Sequence, residues 1–87
     1  MSGGRALALQ RTIVTPAERA RFLERGRHLR EHYAGRDCRY WIFEDSQLAG
    51  AFIELTEASN VPALSDALAG AQEFVIDPAR VYQEIEL

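Results

Sequence analysis

The feature that most constrains this chain is the stretch CRYWIFEDSQLAGAFIELTE, residues 38–57, which is rich in aromatic and β-branched residues. It predicts a β-hairpin, because two strand-like runs flank the polar residues 44–47, which suit a tight or slightly extended loop. Side chains alternate between the two faces of a sheet, and here both faces receive apolar groups. Such a sheet needs a cover on each face. The alternation groups Arg39, Trp41 and Phe43 against Cys38, Tyr40 and Ile42 on the first strand, and Ala51, Ile53 and Leu55 against Gly50, Phe52, Glu54 and Thr56 on the second.

The length of the chain makes oligomerisation attractive. A chain of 87 residues is expected to form one domain, residues 1–87, and a domain of this size buries only roughly two-thirds of its unfolded surface. The single cysteine, Cys38, has no intrachain partner for a disulfide, and its place in a strand predicts a buried apolar side chain. No apolar run approaches the ~20 residues that span a membrane, and residues 1–10 lack a secretion signal. We therefore expect a soluble, cytoplasmic protein with no membrane partner.

The part of the chain before the hairpin predicts a strand and a helix. Residues 5–14 alternate as a first strand. Thr15 and Glu18 have the spacing of a capping box, with proline between them where no donor is needed, so a helix is predicted to begin there. It is expected to end near Ala34, with Gly35 as a left-handed stop. Glycine inside the helix also indicates a close approach to a strand. The face predicted to lie on the sheet contains Phe22, Gly26, Leu29 and Tyr33.

The part after the hairpin predicts a second helix and a last strand. Residues 61–71 have helical spacing, residues 74–76 fit either a short strand or a loop anchored in the core, and residues 80–87 alternate as a strand. The order is β-α-β-β-α-β, which predicts a ferredoxin-like α+β fold with a four-stranded antiparallel sheet and both helices on one face. The other face stays bare and apolar, which is unfavourable for a monomer.

This order, the length, and the segments YWIFED and FIELTEA resemble the dimeric α+β barrel superfamily, whose members include the antibiotic biosynthesis monooxygenase-like proteins. The resemblance implies a homodimer in which two sheets pack face to face, with a pocket in each chain between its sheet and its helices or loops. No catalytic motif of this chain matches the family residue by residue, so no active site is transferred. No cofactor is predicted.

The distribution of charge is uneven. Residues 1–40 carry nine arginines against four acids, a net +5, and residues 41–87 carry one arginine against nine acids, a net −8. In a symmetric dimer the basic half of one chain can face the acidic half of the other, which would set orientation more than affinity. The charges can equally well solvate two separate surfaces.

Metal binding and nucleic-acid binding find little support. His28 and His32 are spaced i, i+4 with Glu24 one turn earlier, but the helical phase directs all three away from the apolar stripe, so a solvated face is predicted and no metal site. Glutamates interrupt the arginines of the same helix and the chain is acidic overall, which argues against nucleic acid. Glycine-rich phosphate loops and a serine placed near a histidine are absent.

The remaining candidate is a small-molecule site on the sheet. Aromatic residues with a few polar groups, among them Tyr40 and Glu84, predict an apolar cleft in which an arginine binds a phenolate or carboxylate and a tryptophan stacks on a planar ring. The resemblance implies cofactor-independent oxygenation of an aromatic or polyketide-like compound. Alternatively, the dimer interface uses up the same aromatics, and the protein is a non-catalytic assembly or accessory domain. The predicted ligand-binding residues are Arg39, Trp41, Phe43, Phe52, Glu54 and Tyr82.

Overall fold

The computed structural model describes residues 4–71 and 80–87. Their element order confirms the predicted β-α-β-β-α-β arrangement, with one added turn of 3₁₀-helix before the first α-helix. Residues 74–76, which fit either a strand or a loop, lie outside the described residues. The elements are β1 (Ala6–Ile13), the 3₁₀ turn (Pro16–Glu18), α1 (Arg19–Ala34), β2 (Arg39–Glu44), β3 (Ala51–Ala58), α2 (Val61–Gly70) and β4 (Arg80–Gln83).

The four strands form one antiparallel sheet in the order β2-β3-β1-β4, as predicted for the ferredoxin-like fold. Leu9 of β1 lies opposite Leu55 of β3, and Leu55 lies opposite Trp41 of β2. On the other side of β1, Leu9 lies opposite Arg80 of β4. Since residues that oppose each other share a face, these pairs fix the face of every strand side chain. The short strands β2 and β4 are the edges.

Both helices cover the same face of the sheet. The predicted helical stripe is buried, and it meets small strand residues such as Ala8 and Ala58, which let the helices approach closely. In a second cluster, the ring of Phe22 packs on that of Phe52, with the two ring centroids 4.7 Å apart. The close approach predicted at Gly26 is also present, because a Cβ atom there would lie 2.5 Å from Cδ1 of Ile42. Among residues 4–71 and 80–87, no helix has the length and hydropathy needed to cross a membrane.

The ends of α1 differ from the prediction. The side chain of Thr15 makes no capping hydrogen bond, because the 3₁₀ turn separates it from the first turn of α1; the backbone N–H of Glu18 instead donates to the Thr15 carbonyl at 3.0 Å. At the other end, Gly35 is right-handed with φ −68°. The left-handed residue is Asp37, with φ 57°, and it lets the Cys38 N–H donate to the Tyr33 carbonyl at 2.9 Å.

The hairpin turn is longer than predicted, because β2 ends at Glu44 and β3 begins only at Ala51. The Asp45 carboxylate accepts from the Gln47 N–H at 2.7 Å. The Glu44 carboxylate accepts from both Nη atoms of Arg19, at 2.7 and 2.9 Å, and from the Gly50 N–H at 2.9 Å. These bonds, those from Arg19 first, lower the pKa of Glu44 to about 2. The carboxylate thus joins the turn to the start of α1.

The last strand is shorter than the predicted 80–87. After Gln83 the ladder continues for one bond, from the Glu84 N–H to the Arg5 carbonyl at 2.8 Å. The side chain of Arg5 then binds both Glu84 and Glu57, at 3.1 and 3.0 Å. β1 begins at Ala6, which pairs with Gln83. The pairing of β4 with β1 therefore ends at these two residues.

The hairpin turn predicts a contrast between two glycines. Gly50 has φ +89°, and a Cβ there would clash with the backbone carbonyl of Val14, whereas Gly35 is right-handed with its nearest neighbour atom 3.6 Å from a built Cβ. We expect Gly50→Ala to lower the free energy of unfolding by about 2–3 kcal/mol. Gly35→Ala, the matched control, should raise it by up to about 1 kcal/mol. Urea denaturation measures both, and equal stability of the two variants would contradict the geometry.

Candidate functional site

The sheet separates the six predicted ligand-binding residues into two groups. The strand register places Arg39, Trp41, Phe43 and Tyr82 on the face without helices, whereas Phe52 and Glu54 lie on the helix-covered face. The six residues therefore do not line one surface, because the side chains of residues 52 and 54 alternate with those of 53 and 55. We call the side without helices the open face. It contains Leu7, Leu9, Arg11, Ile13, Arg39, Trp41, Phe43, Ala51, Ile53, Leu55, Glu57, Arg80 and Tyr82.

A buried carboxylate marks the helix-covered face. Glu54 is only 4% exposed, and three side chains direct donors to it. The Tyr40 hydroxyl of β2 donates to Oε1, Arg25 Nη1 of α1 lies 3.0 Å from the same oxygen, and Thr12 Oγ1 of β1 lies 3.5 Å from Oε2. Three different elements therefore converge on one side chain. We call these residues, Thr12, Arg25, Tyr40 and Glu54, the Glu54 cluster.

The sequence indicated Glu54 but not the arginine that pairs with it. Arg25 lies beside the apolar stripe of α1, three residues after Phe22, and its guanidinium sits 5.5 Å from the centre of the Phe22 ring. Its side chain is 17% exposed, against 4% for Glu54. Residues at spacings of i, i+3 and i+4 share a helix face, so this position borders the buried stripe. The sequence signal for Arg25 was its position beside the apolar stripe. Because α1 contains several other arginines, that signal did not distinguish Arg25 from them.

The buried ion pair is an expensive feature for a small domain. Removing a carboxylate and a guanidinium from water costs several kcal/mol, and apolar residues of similar volume are often neutral or more stable in such places. All buried side-chain polar atoms in the described part of the chain have hydrogen-bond partners, so the Glu54 cluster is fully satisfied. A buried ion pair is weak evidence for stability, so its presence in so small a core favours a role beyond stability. The cluster is therefore the strongest candidate for chemistry in this fold.

The two tyrosines of the site are held as neutral phenols. Burial, and then the hydrogen bond to the Glu54 carboxylate, raise the pKa of Tyr40. Burial likewise raises the pKa of Tyr33, whose ring stacks on that of Tyr40 with centroids 5.4 Å apart and planes 25° apart. Tyr33 is 2% exposed, so it forms a fixed platform. The Tyr40 phenol therefore acts as a hydrogen-bond donor to the carboxylate.

Two spaces border the Tyr40 side chain. The inner one is a cavity of about 10 Å³, close to the size of a single water molecule. The outer one is a groove of about 200 Å³ between α1 and the edge strand β2. Tyr40 lines both. The inner cavity is also lined by Ala8, Gln10, Leu29, Tyr33, Glu54, Thr56 and Leu68, and the outer groove by Leu23, Gly26, Arg27, Arg30 and Ile42.

A third space of about 380 Å³ lies at the hairpin end of the sheet. Its walls include Ile13, Phe43 and Ile53 of the open face, with Arg11 and Asp45 among its polar groups. Ile13 and Phe43 are 77% and 51% exposed, so this space is a shallow depression in an uncovered surface.

The two histidines have different surroundings. His28 lies 3.4 Å from Glu24 in water, as predicted, but His32 is half-buried against α2, where Nε2 lies 3.0 Å from the Ala67 carbonyl. Arg36 donates to its Nδ1 at 3.1 Å, so Nε2 carries the proton. The predicted solvated face therefore holds for His28 and not for His32. No group of three or more His, Cys, Asp or Glu residues suited to a metal ion occurs in residues 4–71 and 80–87.

The raised pKa values of Tyr40 and Tyr33 predict how stability changes in alkali. Since tyrosine in the unfolded chain titrates near 10, the unfolded state releases these protons first as pH rises. Their contribution is complete below pH ~10 and declines above it, by at most about 1.4 kcal/mol per pH unit for each phenol. Tyr40→Phe should make this decline less steep in urea denaturation between pH ~9 and ~11.5. Parallel declines in the two proteins would show that Tyr40 ionises freely in the fold.

Comparison with known proteins identifies solved structures that share this fold. No family model matches this chain, and no curated protein matches it. Among solved structures, a variant of SnoaB, a cofactor-independent oxygenase from Streptomyces nogalater, superimposes with a TM-score of 0.79 at 13% identity, covering 97% of this chain and 96% of that one. A candidate antibiotic biosynthesis monooxygenase from Nitrosomonas europaea gives 0.73 at 11% identity, with 98% and 94% covered.

A further candidate antibiotic biosynthesis monooxygenase, from Caulobacter crescentus CB15, superimposes with a TM-score of 0.67 at 16% identity, covering 97% of this chain and 92% of that one. The match extends over nearly the whole of each chain, so it concerns the complete arrangement of strands and helices. This chain therefore has the fold of the antibiotic biosynthesis monooxygenase-like structures, as its sequence predicted.

Proposed function

We propose that this protein is a homodimeric small-molecule-binding protein that catalyses cofactor-independent oxygenation of an aromatic or polyketide-like compound. The observation that carries the proposal is the buried Glu54 carboxylate, held by Arg25 and Tyr40 in the layer between helices and sheet. The likeness in fold to a cofactor-independent oxygenase agrees with it. The ligand site lies around the Glu54 cluster, and the open face serves assembly.

The argument for a dimer starts from the composition of the open face. The side chains of its central strands are mainly apolar, and on its edge strands Trp41, Phe43 and Tyr82 are 38%, 51% and 48% exposed. Apolar patches of this kind on soluble proteins commonly mark interaction sites. Four strands at a spacing of ~4.8 Å and up to eight residues long cover roughly 400–500 Å² per copy, so two copies bury on the order of 1,000 Å². That area is near the lower limit of a specific interface.

The partner proposed for this face is a second copy of the chain. Two copies present the same apolar centre to each other, and the charged residues Arg39 and Arg80 lie on its edge strands, like the polar rim of an interface. Sheets that pack face to face lie about 10 Å apart, which the side chains of the two open faces can fill. Trp41 would then lie in the interface and contribute to assembly rather than to the ligand site.

The chemistry proposed for the Glu54 cluster begins with a proton. An aromatic substrate with an acidic CH₂ group loses a proton to Glu54, and Arg25 stabilises the negative charge that spreads to the substrate oxygen. Molecular oxygen adds to the carbanion carbon, and the proton returns to give a hydroperoxide. Loss of water converts that carbon to a carbonyl group. One oxygen atom stays in the product and the other leaves as water, so the substrate supplies all four electrons.

Assembly through the open face is tested with a matched pair of aspartate variants. Phe43 and Leu48 are both apolar and similarly exposed, at 51% and 58%, but only Phe43 lies on the open face, whereas Leu48 lies in the hairpin turn. By light scattering we expect Phe43→Asp to be a monomer, because a buried charge at the interface is strongly unfavourable. Leu48→Asp should remain a dimer. A dimer in both variants, or a monomeric wild type, would refute assembly through this face.

The oxygenase activity is tested by oxygen uptake with polyketide-type phenols that carry a CH₂ group between rings. The wild type should consume O₂ in step with a product that has gained one oxygen and lost two hydrogens, measured by mass spectrometry. Glu54→Gln should slow this reaction about 10²–10⁴-fold, the usual loss when a general base is removed. Equal rates for Glu54→Gln and wild type would refute Glu54 as the base. No reaction with the wild type would favour a non-catalytic assembly domain, an alternative supported by the small volume of the inner cavity.

A further inference from the structure

The Tyr40 side chain occupies the helix-covered layer in the way that a bound phenol would. Its hydroxyl donates to the Glu54 carboxylate, and its ring stacks on Tyr33. We propose that a planar aromatic phenol binds here by displacing Tyr40, so that the ligand hydroxyl donates to Glu54 and the ligand ring stacks on Tyr33. This inference rests on the proposed small-molecule function. It specifies the class of ligand and the route by which the ligand reaches Glu54.

The two spaces beside Tyr40 support this displacement. The inner cavity of about 10 Å³ is far too small for an organic ligand, and the outer groove of about 200 Å³ is below the usual ~300–1,000 Å³ of a ligand site. Tyr40 lines both, so its movement joins them and adds the volume of its own ring. The resulting space has the carboxylate of Glu54 at its inner end.

The position of Tyr40 makes the movement feasible. It lies on the edge strand β2, and its side chain is only half-buried, whereas its stacking partner Tyr33 is 2% exposed and stays in place. Tyr40 is therefore the tyrosine of this pair that can leave the layer without unpacking the core. The main cost of opening is the hydrogen bond from the Tyr40 hydroxyl to Glu54, because the ligand restores the stacking on Tyr33.

The walls of the outer groove suit a flat ring. Leu23 and Ile42 are apolar, and Ile42 packs directly against Gly26, so edge strand and helix together form an apolar wall on this side of the groove. Arg25 faces the same carboxylate oxygen as the Tyr40 hydroxyl, so a ligand oxygen placed there also lies near its guanidinium. An acidic hydroxyl group on the ring therefore finds both an acceptor and a positive charge.

The experiment compares 2-naphthol with 2-methoxynaphthalene, which has the same rings but no hydroxyl donor. Affinities are measured from ligand fluorescence with the wild type, Tyr40→Phe and Glu54→Gln, after circular dichroism has shown that each variant is folded. We expect the wild type to bind 2-naphthol about tenfold more tightly than the ether, because only the naphthol can donate a hydrogen bond to the Glu54 carboxylate. Glu54→Gln should reduce that preference.

The decisive variant is Tyr40→Phe. It keeps a ring at this position but no hydroxyl bound to Glu54, so the open state becomes more populated and the apparent affinity rises. We expect about tenfold tighter binding of 2-naphthol than in the wild type. A Tyr40 hydroxyl that contacted the ligand directly would give the opposite result, and weaker or unchanged binding in Tyr40→Phe overturns the proposal.

Two other outcomes separate this inference from the proposed function. Trp41→Phe, on the open face, is measured as a further variant. A change in affinity confined to it would put the ligand on the open face, which overturns the displacement of Tyr40 and leaves small-molecule binding standing. Failure of the wild type and of Tyr40→Phe to bind 2-naphthol would overturn the phenol assignment. The oxygen-uptake measurement then decides the proposed function independently.

Discussion

The register of β3 determines the rest of the structure. This strand lies between β1 and β2, and its even-numbered residues point to the helices whereas its odd-numbered residues point to the open face. A slip of one residue would exchange Glu54 with Ile53 or Leu55 and place an apolar side chain opposite Arg25. The pairing of Arg25 with Glu54 and of Phe22 with Phe52 favours the observed register over that alternative. Core, site and open face therefore share one determinant.

Part of the uneven distribution of charge is matched by ion pairs within the chain. Arginines of the basic N-terminal half pair with acids of the C-terminal half, which brings together parts of the chain that are distant in sequence. The sequence suggested either contact between two chains or solvation of two surfaces, and these ion pairs are a third use. Most of them are exposed and contribute little, so the buried pair matters most. The pairs are Arg5 with Glu57 and Glu84, Arg19 with Glu44, and Arg25 with Glu54.

The fold was predictable because its signals are periodic and local. The hairpin, the buried stripe of α1 and the order of elements follow from alternation and helical spacing, and all three agree with the structure. The site was only half predictable. Alternation separates Phe52 and Glu54 from Ile53 and Leu55, but it does not say which set lies under the helices. That choice depends on contacts with α1, such as Arg25 with Glu54, which join residues distant in sequence.

The proposed assembly and the proposed ligand site lie on opposite faces of the same strand. In such a dimer, β3 is held between the helices on one side and the second sheet on the other, so its backbone has little freedom. Glu54 alternates along it with Ile53 and Leu55, and a site on a strand fixed in this way keeps a more constant geometry than one on a loop. Tyr40, on the edge strand, is less constrained. A carboxylate on a central strand beside a phenol on an edge strand is the combination that the proposed replacement of the protein hydroxyl by a ligand hydroxyl requires.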